Sequence, residues 1–214
     1  MLFRVIIFCF VFLLPFKSFA DTTTLRMANW LPPTHPWVLS IMIPWIEKVK
    51  IATEDRINIE ILSAPLGPPP AHFDFAVNGI ADVTFGVHNY TAGRFPTTRL
   101  AELPFLSNSS EILSVAWQKI YERELLTLNE HKGTHLLGVF THGPGQLWLN
   151  NLHNSLESIK GLKIRIGGGI AQSSAKALGL VPLQAPVTKA YELLSGGVAD
   201  GITLPAESIS FFKL

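Results

Sequence analysis

Cysteine is all but missing from this 214-residue chain: the single Cys9 sits inside the apolar run from Val5 to Leu14. If that run is cleaved away as a leader, no disulfide and no thiol nucleophile remains. Charge is sparse as well, at 15% of residues, and nearly balanced at a formal +1. Nucleic-acid binding therefore has no electrostatic support. After the first apolar run, no later segment reaches the roughly 18 residues needed to span a bilayer. Signatures of catalysis are absent too. There is no Gly-x-Ser-x-Gly elbow, no Walker lysine follows Gly169, and Gln172 stands where a dinucleotide fingerprint needs glycine. His131 and His135 have a metal-compatible spacing, but Gly133 lies between them and no nearby acidic pair completes a ligand set. The residues thus argue against an enzyme, a cofactor or a metal.

What is present begins with an export signal. Arg4 supplies a positive start, Val5 to Leu14 is almost wholly apolar, and Ser18-Phe19-Ala20 has the small-x-small form of a cleavage site. Residues 1–20 read as a secretory signal peptide, so the mature chain is expected to be soluble and exported. Its removal takes Arg4 and Lys17 from the 17 basic residues, leaving 15 against 16 acidic ones.

The remaining chain alternates strand and helix signals. Leu25 to Asn29 reads as a strand, and Thr34 can cap a helix to about Ala52 that Pro44 should kink. Ile57, Ile59 and Ile61 alternate as in a half-buried strand. A helix near Ala71 to Asn78 ends at Gly79, and Ala81 to Val87 reads as the next strand. Ser109 or Ser110 caps a helix to about Asn129, and His135 to Thr141 is another strand candidate. The pattern then restarts, with strands at Leu147 to Asn150 and Leu162 to Ile166 and helices near Ile170 to Leu178 and Thr188 to Leu194. The class is α/β. Gly79-Ile-Ala-Asp82 is echoed by Gly197-Val-Ala-Asp200, which suggests two similarly built lobes, residues 21–141 and 142–214. Their hinge would lie near Thr141 to Gly145, and a cleft between them is the default ligand site.

One segment points to a ligand chemistry. Leu162 to Ile166 carries Arg165 near its end and runs into Gly167-Gly168-Gly169. An arginine at the end of a buried strand offers a planar, permanently charged fork that fits a carboxylate bidentately, although it would equally serve an ion pair with a local Asp or Glu. Neighbouring helix N-termini would add unpaired amides.

Four blocks together carry a family resemblance: Gly79-Ile-Ala-Asp-Val-Thr-Phe-Gly86 with Tyr90 to Pro96; Ala101-Glu-Leu-Pro-Phe105; His142-Gly-Pro-Gly145; and Leu156 to Arg165 with Ala177 to Pro182 and Tyr191 to Pro205. In this the chain resembles the DctP-type solute-binding receptors of tripartite ATP-independent periplasmic (TRAP) transporters. The resemblance implies a two-lobed periplasmic binding protein-like fold with a hinge, closing over a small organic acid and delivering it to membrane permease subunits. It makes Arg165 the main carboxylate ligand. No second arginine lies about twenty residues earlier, so Gln146, Trp148, His142 or glycine-loop amides would have to serve the remaining oxygens. The resemblance further implies walls from Asn29, Trp30, Val87, His88, Tyr90, Pro186 and Val187. Leu204, where relatives often carry a polar residue or tryptophan, favours a monocarboxylate with a hydrocarbon or aromatic body. Compared with relatives, the chain stops early, at Phe211-Phe-Lys-Leu214, so the C-terminal part of such a fold is expected to be missing.

Overall fold

A computed structural model describes residues 21–214, and the expected signal peptide lies outside the described residues. The chain forms two sheets built on one plan. In the first, strand β1 (Thr23–Ala28) is central, flanked by β2 (Ile57–Ile61) and β3 (Val83–Thr84), all parallel. Helices α1 (Ile43–Ala52) and α2 (His72–Val77) make the crossovers that parallel pairing requires. After helix α3 (Ser110–Ile120), strand β4 (Gly145–Leu149) opens the second sheet. Its centre is β5 (Lys163–Ile166), with β6 (Val181–Gln184) and β7 (Gly201–Pro205) parallel on either side and β4 antiparallel to β7 at the edge. Helices α4 (Gly169–Ala177) and α5 (Ala190–Ser195) are its crossovers, and α6 (Ala206–Phe212) follows β7. Strand, helix, strand, helix, strand, with the first strand in the middle, occurs twice.

The Gly-x-Ala-Asp echo is the joint of this repeat. Gly79 and Gly197 end the helices before it at φ +67° and +66°, in the left-handed region that glycine enters without penalty. The amides of Ile80 and Ala81 both donate to the Phe75 carbonyl, as those of Val198 and Ala199 donate to that of Leu193. Asp82 Oδ2 then accepts from the Arg26 amide at 2.7 Å, and Asp200 Oδ2 from the Lys163 amide, also at 2.7 Å. Each aspartate thereby ties the last strand of its unit to the first.

Packing follows the pleat. In β5, Ile164 and Ile166 are fully buried on one face with Ile159, Ala175 and Leu180, and burial of each such side chain contributes about 1.5–3 kcal/mol. Arg165 points to the other face, as the two-residue period demands. Pro182 is tolerated because β6 is an edge strand. The other large core cluster draws on both sheets: Met27, Trp30, Leu31, Val38, Met42, Ile46 and Ile59 pack with Val187, Ala190, Ile202 and Leu204. No helix among the described residues is long and apolar enough to cross a membrane.

Three sequence expectations are corrected. His135 to Thr141 forms no strand, because its amides are taken by helix side chains: Val139 N donates to Gln118 Oε1 at 2.7 Å and Thr141 N to Ser114 Oγ at 3.0 Å. The Ala81 to Val87 strand shrinks to Val83–Thr84, since β1 ends at Ala28 and the Phe85 carbonyl turns to Trp30 Nε1 instead, 3.3 Å away. The helix capped by Ser109, whose side chain accepts from Ile112 N, stops being regular at Ile120 and ends through wide and then tight turns at Asn129, φ +52°. Pro44, the expected kink, lies within a continuous helical run over residues 36–52, directly after the wide turn at Val38–Met42, where the Ile43 amide reaches back to the Val38 carbonyl.

Gly201 pairs so closely with β4 that an added Cβ would stand 2.3 Å from the Trp148 carbonyl oxygen. Backbone cannot yield as a side-chain tip does. Gly201→Ala is expected to destabilise the chain by about 1–3 kcal/mol, measured by denaturant unfolding, whereas a neutral result would mean that β4 moves freely against β7.

Candidate functional site

Parallel sheets gather their ligand-facing groups at the carboxyl ends of the strands, and the groups around Arg165 come from there. Asn29 and Trp30 follow β1, Phe85 to Tyr90 follow β3, the glycine turn follows β5, and Ala185 to Val187 follow β6. Arg165 itself is 2% exposed. Its Nε and Nη2 donate to one acceptor, the Ala185 carbonyl, at 2.9 and 2.6 Å. The other contacts are at the outer limit of a hydrogen bond: Nη1 to the Thr203 carbonyl at 3.4 Å and Nη2 to Tyr90 Oη at 3.5 Å. None of the ion pairs among the described residues includes Arg165. Burial pushes its pKa below the usual value, with Tyr90 opposing. A buried guanidinium held only by neutral acceptors is costly, and a carboxylate is the partner that matches its fork.

Around that charge the surroundings are apolar and aromatic. Trp30, Val187 and Leu204 are buried in the shared core, with Val87, Tyr90 and Trp148 packed against it. Trp30 stacks on Phe85 at 5.5 Å between ring centres and meets Tyr90 at 6.2 Å. Indole Nε1 of Trp148 is tied to the Leu204 carbonyl at 2.9 Å. Tyr90 joins the two sheets, since its hydroxyl accepts from the Val187 amide at 3.1 Å as well as facing Arg165. Pro186 starts the tight turn at Val187–Lys189 with φ −64°.

Other residues expected at the site are engaged elsewhere. Asn29 is buried, but its side chain closes a local turn, accepting from Leu31 N at 3.0 Å and donating to Leu31 O at 2.9 Å. Gln146 is exposed at the start of β4, opposite Leu204. His88 turns away into a separate cluster, its Nε2 2.8 Å from His131 Nε2, while His131 Nδ1 lies 2.8 Å from Tyr121 Oη. His142 bonds its own neighbour, the Gly143 carbonyl. Sequence reasoning missed Ala185, Thr203 and Phe85. The first two act through backbone carbonyls and leave no trace in side-chain chemistry; Phe85 was legible only as one apolar position in a strand.

An open groove of about 360 Å³ lies apart from Arg165, between Trp37, Phe140, Thr141, Glu111 and Glu207. Its lining includes none of the strand-end groups that surround the guanidinium.

The family profile described as bacterial extracellular solute-binding protein, family 7 (DctP), matches residues 27–214. The chain belongs to that family. A TRAP periplasmic solute-binding protein from Bordetella bronchiseptica, solved with bound (R)- and (S)-mandelate, is 43% identical with a TM-score of 0.86, covering 90% of this chain and 61% of that one. A TRAP solute-binding protein from Rhodoferax ferrireducens T118, solved with copurified benzoate, is 30% identical with a TM-score of 0.82, covering 90% of this chain and 60% of that one. The outer membrane transporter protein TsaT of Comamonas testosteroni is 26% identical over 188 residues, 87% of this chain and 56% of that protein. The chain thus spans 56–61% of the length of these three relatives. The fold of the two TRAP solute-binding proteins is the two-lobed α/β receptor fold, which agrees with the two repeated sheets found here.

The histidine cluster sets a pH limit. Burial first, then the neighbouring His131, lowers the His88 pKa from 6.5 to about 4, against an opposing pull from Glu130. The unfolded chain therefore binds this proton more readily between those values, and native stability falls as pH drops through that window. Unfolding followed from pH 7 to pH 4 should show the unmodified protein losing stability relative to His88→Gln, and parallel profiles would remove His88 as the cause.

Proposed function

We propose that this chain is the substrate-holding part of a periplasmic TRAP receptor, and that it binds a small aromatic monocarboxylate through Arg165. The observation that carries the reading is the buried guanidinium without an acidic partner among the described residues. A carboxylate would satisfy Nη1 and the second Nη2 proton, whose contacts with the Thr203 carbonyl and the Tyr90 hydroxyl are now long. Trp30, Phe85, Tyr90, Trp148 and Leu204 would take an aromatic body and give sugar hydroxyls no partners. Mandelate and benzoate in the related receptors support the same class.

In this reading residues 21–141 and 142–214 are the two lobes. Closure about Thr141 to Gly145 brings Tyr90 onto Arg165 and the Val187 amide. The apolar run at Val5 to Leu14 directs export, the loaded receptor hands its acid to membrane permease subunits, and no reaction is catalysed. Val87 and Val187 serve as walls, whereas Asn29, Gln146 and His88 support loops or face elsewhere.

Isothermal titration with (R)-mandelate, (S)-mandelate and benzoate tests this. Charge-assisted hydrogen bonds are worth about 1.5–3 kcal/mol each, so losing two should weaken binding about 100-fold or more. Arg165→Ala should abolish binding, and Arg165→Lys should lose most of it, because a point charge does not reproduce the fork. Undiminished affinity in either variant would overturn the role of Arg165.

A further inference from the structure

Beside the carboxylate-binding arginine, the two sheets are joined by a second contact that carries an acid. Glu102 lies in the tight turn Thr98–Glu102, on the chain that follows β3, yet its Oε2 accepts from the Ile170 amide at 3.3 Å, in the first turn of α4. That helix has no capping side chain of its own, because its cap position is Gly168. Glu102 therefore does from across the interface what an N-cap residue does locally: it satisfies an orphan amide and faces the positive end of the dipole.

The fit around this contact is tight. A Cβ on Gly169 would stand 2.4 Å from Glu102 Oε2 and 3.0 Å from Asn89 Cβ, and one on Gly168 would stand 2.4 Å from the Asn89 carbonyl oxygen. Asn89 precedes Tyr90, and the glycine turn follows Arg165 with only Ile166 between. Glu102 and Asn89 thus clasp the glycine turn within a few residues of both members of the Tyr90–Arg165 contact.

We propose that Glu102 is a positioning residue that latches the glycine turn beside Arg165 when the two units close over a ligand. The proposal rests on the receptor reading above for its ligand but on this interface for its geometry. The charges that bear on Glu102 are few. Its own turn contributes Arg99, the turn at His88–Tyr90 contributes Asn89 between a histidine and a tyrosine, and α4 has no acidic residue in its first turn and Lys176 in its last. Burial dominates and raises the Glu102 pKa from 4.5 to about 7, against lowering contributions from the Ile170 amide, Asn89 and Arg99.

The sign follows. Glu102 has its ordinary acidity once the units part and it meets water, so the latched form holds the proton more tightly. Latching is favoured as pH falls from about 7 toward 4.5 and loses that advantage as pH rises through 7. Between pH 8 and pH 5.5 these two values correspond to a change of at most about 30-fold in the latching equilibrium.

The test compares the protein with Glu102→Gln, which keeps the shape and an acceptor oxygen but cannot titrate. Unfolding of both, without ligand, is followed from pH 8 to pH 5.5. The difference between them removes the opposite trend set by His88. The unmodified protein should gain stability relative to the variant as pH falls, by up to about 30-fold in the unfolding equilibrium, and parallel profiles would overturn the proposal. Titration with (R)-mandelate over the same range should show affinity rising toward acid pH in the unmodified protein and a flatter profile in Glu102→Gln. Mandelate binding with the same pH profile in both proteins would sink the latch while leaving the receptor reading intact. No binding of mandelate or benzoate, with the unfolding difference present, would sink that reading and leave the latch. If Glu102→Gln does not fold, carboxyl titration of the unmodified protein by NMR decides: Glu102 titrating near 7 supports the latch, and near 4.5 overturns it.

Discussion

Arg165 brings a full positive charge to a position that is 2% exposed, where the acceptors within reach are the carbonyls of Ala185 and Thr203 and the hydroxyl of Tyr90. Burying such a charge costs several kcal/mol before any partner is counted. The strand ends around it are arranged to bear that cost. The Ala185 carbonyl sits between Nε and Nη2, which fixes the plane of the fork, and the Tyr90 hydroxyl comes over from the other sheet. A guanidinium oriented in this way would lose little further freedom on docking a carboxylate, as the proposed receptor role requires.

The repeated unit explains how the charge can be held at all. Each half places its first strand at the centre of a parallel sheet, and each half fastens its third strand to the first with an aspartate that follows a left-handed glycine. All the carboxyl ends of those strands therefore open the same way within a sheet, and Trp30, Phe85 and Tyr90 from one meet Arg165, Val187 and Leu204 from the other. The shared core is continuous across this meeting. Contacts that join the units at its edge, such as Glu102 with Ile170 and Glu207 Oε1 with the Gly143 amide at 3.0 Å, are hydrogen bonds rather than packed hydrocarbon. Such contacts part at lower cost than a hydrophobic interface does.

Much of the secondary structure was legible because it rests on local signals. The isoleucine alternation of β2, the Ser109 cap and the glycines that end α2 and α5 act within a few residues of themselves. The expected strand at Ala81 to Val87 was cut short to Val83–Thr84 and the one at His135 to Thr141 did not form, for a common reason: the apolar pattern was right, but strand partners were not available. Beyond Ala28 there is no β1 for β3 to pair with, and the amides of Val139 and Thr141 found side-chain acceptors on α3. A ladder needs two chains, and one sequence window describes only one of them.

The chemistry of the site divides along the same line. The sequence alone determined that a strand-end arginine followed by three glycines stands in an α/β repeat, and that residues 27–214 carry the pattern of an extracellular solute-binding family. Side-chain identity and local periodicity suffice for that. Only the tertiary structure decided that Arg165 has no acidic neighbour among the described residues, that His88 pairs with His131 instead of facing it, and that Glu102, some seventy residues from Ile170, caps the helix beside it. These are facts about which groups are absent from a small volume and which distant groups enter it, and they are fixed by the packing of one sheet against the other.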